Sequence, residues 1–114
     1  DLKKDGSHPS GHTAIGWAWA LILSEIAPGH ADAILARGRA FGESRIICNV
    51  HWHSDVVEGR FIGASVVARL HSDPQFNSDL EAAKKEVASL YAKGAKSTND
   101  CKSESDALAM PEEK

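Results

Sequence analysis

Apolar residues in this chain recur at steps of three and four, not two. In GHTAIGWAWALILSEIA, residues 11–27, Ile15, Trp19, Ile22 and Ile26 fall at steps of four, three and four, the spacing of one helical face. Trp17, Leu21 and Leu23 widen that surface beyond a stripe, which predicts a helix central to the fold. Pro28-Gly29 ends it. A second helix is expected from about Ala31 to Cys48, around Ile34, Arg37, Phe41 and Ile47. Gly38 and Gly42 either weaken it or permit close packing. The segment NVHWHS is a break. Residues 55–71, DVVEGRFIGASVVARLH, predict a third helix, with Asp55 and Glu58 at capping-box spacing. Its Gly59 and Gly63, four apart with Ser65 nearby, leave room for another helix to approach. A fourth helix is expected from about Ser78 to Lys93, carrying Leu80, Ala83, Val87, Leu90 and Tyr91, with Gly94 as the residue beyond its cap.

Strands are not expected, because period-two alternation is absent over any useful length. The fold class is therefore all-α. No internal repeat is present. Residues 97–114, STNDCKSESDALAMPEEK, show no periodicity and are expected to be a mobile, acidic tail. Residues 1–96 form the helical core.

Composition narrows the function. Of 114 residues, 42 % are hydrophobic and 25 % charged, ordinary for a soluble globular domain. The net charge of −3 belongs entirely to the tail: its five acids and two bases leave eleven of each in the body. With no basic stripe, nucleic-acid binding is disfavoured. The longest apolar run, Ala14 to Leu23, is far short of the ~20 residues that span a bilayer. The chain opens on Asp1, not Met, so the lack of a signal peptide carries no message about compartment. Cys48 and Cys101 are 53 positions apart with no CxxC. A disulfide tying tail to body and two separate thiols are both compatible with that spacing.

Two clusters carry candidate chemistry. The first, SHPSGHT at residues 7–13, immediately precedes the first apolar helix. Unpaired N–H groups and the positive dipole end make a helix start a natural anion cradle. Gly11 lets an oxyanion approach the main chain, the Ser10 hydroxyl can donate to it, and His12 can deliver a proton near neutral pH. The plainer reading is a Ser N-cap, a stiff Pro entry and a solvated His. The second cluster, SRIICNVHWHSD at residues 44–55, holds Arg45, His51, His53 and Asp55 within eleven positions. Arg suits forked recognition of phosphate oxygens. A nucleophilic His needs its second ring nitrogen held by an acceptor, which Asp55, four residues after His51, can supply. Here too there are plainer readings: Arg45 paired with Glu43, Asp55 as a cap, His53 as a hydrogen-bonded loop residue.

Taken together, P-S-G-H, 31 intervening residues and S-R-x5-H-x3-D fill eight specified positions: Pro9, Ser10, Gly11, His12, Ser44, Arg45, His51 and Asp55. This combination resembles two of the three signature motifs of the PAP2 phosphatase superfamily, and GSHPSGHT and SRIICNVHWHSDV look most like bacterial class A nonspecific acid phosphatases. The resemblance implies a helical bundle of the PAP2/vanadium-haloperoxidase type, of which this chain is the C-terminal part. It also implies metal-free, cofactor-free hydrolysis of phosphate monoesters. His51 is then the nucleophile that becomes phosphohistidine, Asp55 its orienting carboxylate, and His12 the acid and later the base. Ser10, Gly11 and Arg45 hold the phosphate. The family's first motif, K-x6-R-P, has no counterpart here: Lys3 and Lys4 are not followed by Arg-Pro. Phosphoryl transfer is catalysed mainly by electrostatics, so a preceding segment, cleaved off or a second chain, is expected to bring a Lys and an Arg. The resemblance further implies a periplasmic location and often a homodimer.

Rival readings share the residues. A zinc hydrolase built on His12, His51, His53 and Asp55 has suitable ligand types, but Arg45 beside a cation is unfavourable and H-E-x-x-H is absent. A Ser10 nucleophile lacks G-x-S-x-G and a preceding strand. A vanadate-dependent haloperoxidase uses a similar pocket, and an inactive or incomplete helical fragment is the non-enzyme alternative.

Overall fold

The computed structural model describes residues 11–47, 53–96 and 99–109, excluding the side chains of residues 45–47, 53 and 108. Among the described residues five α-helices follow one another: α1 Gly11–Ile26, α2 Ala31–Ile47, α3 His53–Leu70, α4 Pro74–Ala92 and α5 Cys101–Leu108. A single 3-10 turn, Pro28–His30, separates α1 from α2. No strand occurs among the described residues, and the all-α expectation holds.

Helix boundaries follow the caps. α3 begins at His53, so Asp55 is its third residue and not the start of a capping box. An acid in the first turn still gains from the positive end of the helix without capping it. α4 begins one turn before the expected Ser78. The Asp73 carboxylate accepts from the backbone N–H groups of Gln75 at 2.8 Å and Phe76 at 3.4 Å, with Pro74 as the first helical residue. Proline fits there because its missing N–H is one the helix leaves unpaired. At the other end, Gly94 has φ +74°. Its N–H bonds the Tyr91 carbonyl at 3.0 Å, and the Ala95 N–H bonds the Leu90 carbonyl at 3.1 Å. Those two bonds are a Schellman closure, as the glycine predicts.

The acidic tail, expected to lack order, contains α5. Asp100 caps it, accepting from the Ser103 N–H at 3.0 Å and the Ser103 hydroxyl at 2.8 Å. These bonds, the N–H first, hold the Asp100 carboxyl below its usual range. Lys102 and Asp106 pair at 2.7 Å one turn apart, and Glu104 meets Arg37 of α2 at 2.7 Å.

α1 is the hub and packs against both α2 and α3. Glycines make this possible. A Cβ built on Gly38 would lie 2.5 Å from the Ala20 Cβ, and one on Gly63 only 2.6 Å from the Ala14 carbonyl oxygen. Contacts along the helices fix their directions. Gly42 meets Thr13 while Gly38 meets Ala20, so α2 runs antiparallel to α1. Gly63 meets Ala14 and Ala18, and His71, just past α3, bonds Glu25 near the end of α1. α3 therefore runs parallel to α1.

The central position of α1 is as expected, but its inward face is not. Thr13 and Ala20 are buried, whereas Ile15, Trp19 and Leu23 are 55, 66 and 50 % exposed. Small residues face the neighbours because large ones would hold the backbones apart. The shape is open: the radius of gyration is 16.0 Å, against about 13 Å for a compact domain of roughly this length.

Candidate active site

Three helix ends converge where Gly42 packs. Its built Cβ would sit 3.3 Å from Thr13 Cγ2 at the start of α1 and 3.2 Å from Val56 Cγ1 at the start of α3. Each of these three residues adjoins a motif residue. His12 precedes Thr13, Asp55 precedes Val56, and Arg45 lies one helical turn beyond Gly42 in the last turn of α2. Residues 33 and 43 positions apart in sequence from His12 are thus gathered at one end of the bundle.

Gly11 and His12 are the first two residues of α1, and both are exposed. Among the described residues a Cβ on Gly11 would meet nothing within 4 Å. The first N–H groups of α1 have no partner within the helix. Asp55, by contrast, is only 3 % exposed. Ser44 donates its hydroxyl proton to the Phe41 carbonyl at 2.6 Å, which ties it to its own helix.

Of the expected site residues, Gly11, His12, the Arg45 backbone and Asp55 are brought together. Ser10 and His51 lie outside the described residues, as do the side chains of Arg45 and His53.

Sequence reasoning missed two features beside the site. Glu43, weighed as a partner for Arg45, lies 3.7 Å from Arg60 Nη1, with both side chains at least three-quarters buried. This ion pair joins α2 to α3 at the residue next to Gly42, and no local spacing signals a pairing between separate helices. The second is a groove of about 840 Å³ that starts at His12 and runs between α1 and α2. Ile15, Trp19, Leu23, Ile34 and Phe41 line it, and α5 lies across one side. No described helix is long and apolar enough to cross a membrane.

The family model for the PAP2 superfamily matches residues 1–79. The chain belongs to the PAP2 superfamily. That match takes in both motif clusters and ends within α4. Among curated PAP2 relatives, a non-specific acid phosphatase of Providencia stuartii is 56 % identical over 89 residues, covering 78 % of this chain and 36 % of that protein. An acid phosphatase of Zymomonas mobilis is 54 % identical over 86 residues, covering 75 % and 33 %. A non-specific acid phosphatase of Salmonella typhimurium is 49 % identical over 86 residues, covering 75 % and 34 %. The chain spans about a third of the length of these relatives.

Proposed function

We propose that this chain is the motif-bearing C-terminal part of a periplasmic non-specific acid phosphatase that hydrolyses phosphate monoesters without a metal. The convergence of the α1, α2 and α3 ends around Gly42 carries this reading, because it gathers both halves of the motif string. The substrate phosphate sits against the start of α1, held by the Gly11 amide, the Ser10 hydroxyl and the Arg45 guanidinium. A ring nitrogen of His51 attacks phosphorus while the ester P–O bond breaks. His12 protonates the departing alkoxide oxygen. Water then attacks the phosphohistidine, His12 takes its proton, the P–N bond breaks and phosphate leaves. Asp55 orients the His51 ring throughout.

This reading assigns the remaining positive charge to a Lys and an Arg from a preceding segment, cleaved or separate. The match covers only about a third of each relative, which leaves ample chain for it. Such a segment also has a place to dock, since Ile15, Trp19 and Leu23 present an uncovered apolar strip that begins beside His12.

The test is turnover of a chromogenic phosphate ester at acidic pH by the chain combined with that segment. His51→Ala is expected to abolish activity, and His53→Ala to spare much of it. His12→Ala is expected to cost about 10²–10⁴-fold, most with poor leaving groups. Equal loss in the His51 and His53 variants would refute the assignment of nucleophile, and loss on adding a chelator would refute metal independence. A complex without turnover would leave the chain as an inert helical fragment.

A further inference from the structure

His71, the residue directly after α3, joins three helices. Its Nδ1 lies 2.7 Å from the Val67 carbonyl oxygen of α3, and its Nε2 lies 2.9 Å from Glu25 Oε2 of α1. Its ring meets Phe76 of α4 edge-on, with centroids 5.3 Å apart. Its own carbonyl accepts from the Asn77 side-chain amide at 2.8 Å.

The two ring contacts decide the protonation state. A backbone carbonyl can only accept a hydrogen bond, and so can a carboxylate. Neutral imidazole has a single N–H, so it can satisfy just one of them. Both bonds form together only when the ring is the doubly protonated cation. We propose that His71 is an acid-engaged clamp that locks the far ends of α1 and α3 together and loosens as the ring loses its proton.

Its place in the fold gives the clamp a purpose. α1 and α3 run parallel, and their starts carry His12 and Asp55. Glu25 and His71 join the same two helices at the opposite end, about 20–24 Å away at about 1.5 Å per residue. The clamp therefore fixes how one helix lies along the other, and with it the relative height of the two motif residues.

The charged surroundings favour the cation on balance. The Val67 carbonyl, then the Glu25 carboxylate, hold the His71 pKa above its ordinary 6.5, while partial desolvation and, more weakly, Lys84 of α4 oppose them. Lys84 is itself paired with Glu81 at 3.0 Å, and Asp73, next along the chain, is turned to the amides of Gln75 and Phe76. The sign follows. A histidine whose pKa is higher folded than unfolded stabilises the fold fully below its unfolded value. That contribution disappears as pH rises through the folded value.

The clamp stands on this geometry whether or not the chain turns over phosphate esters, and its test needs no activity. The His71 ring C–H resonance is followed by NMR across pH 4.5–9, assigned by its loss in His71→Gln. The expected midpoint lies above 6.5 and moves down toward 6.5 in Glu25→Gln. Thermal unfolding of the intact chain and Glu25→Gln is compared at pH 5.5 and pH 9. The unfolding temperature of Glu25→Gln should be lower at pH 5.5 and nearly equal at pH 9. A midpoint at or below 6.5, an unchanged midpoint in Glu25→Gln, or a gap of the same size at both pH values would overturn the clamp. If His71→Gln fails to fold, assignment through the ring's contacts with Phe76 serves instead.

Discussion

A methyl group is enough to disturb the joint between α1 and α3. At Gly63 the built Cβ falls 2.6 Å from the Ala14 carbonyl oxygen and 3.3 Å from the Ala18 nitrogen. These are backbone atoms that cannot rotate aside, so the helices themselves must move. Gly63→Ala is expected to lower stability by about 1–3 kcal/mol, the usual cost of overpacking, read as a lower urea midpoint. An unchanged midpoint would mean that the helices are not so close. The Gly59–Gly63 spacing announced this contact in advance, because only a close neighbour makes a pair of glycines useful in a helix. The two motif clusters were legible as a family resemblance, and the family match over residues 1–79 takes in both. The burial of Asp55 was not legible. As a member of a D-x-x-E pair it read as a cap, whereas α3 begins two residues earlier and Asp55 is buried within its first turn.

Whole helices were readable from apolar periodicity and several ends from glycine and proline, but the polar starts of α4 and α5 were not. α4 starts at Pro74 because Asp73 and the proline satisfy the first turn, a polar device that a hydrophobic pattern passes over. Asp73→Ala is expected to cost about 1 kcal/mol, seen as a lower thermal midpoint with loss of amide protection at Gln75 and Phe76. Asp73→Asn should recover most of it, because the amide oxygen can still accept. α5 escaped notice for a related reason. In eight residues it has too few apolar positions to set a period, and its order comes from the Asp100 cap, the Lys102–Asp106 pair and Glu104 on Arg37.

The molecule as a whole is an open assembly with an apolar side turned outward. Trp19, 66 % exposed, is the broadest part of that strip. Trp19→Lys is therefore expected to change the stability of the isolated chain by no more than about 0.5 kcal/mol. It should sharply reduce binding of an environment-sensitive apolar dye in the groove. A large loss of stability would show that Trp19 is packed. Periodicity placed α1 at the centre but put Ile15 and Trp19 on the same inward stripe as the half-buried Ile22 and Ile26, because a pattern of large residues does not reveal which side has a neighbour. The directions of the helices matter for the site as well. α1 and α3 are parallel, so two macrodipoles aim their positive ends, about half an elementary charge each, at the place where Gly42 packs. Among the described helices the one negative end there belongs to α2, whose last turn holds Arg45. Backbone alone thus gives the junction a net positive potential, and a dianion arriving there is attracted before any side chain reaches it.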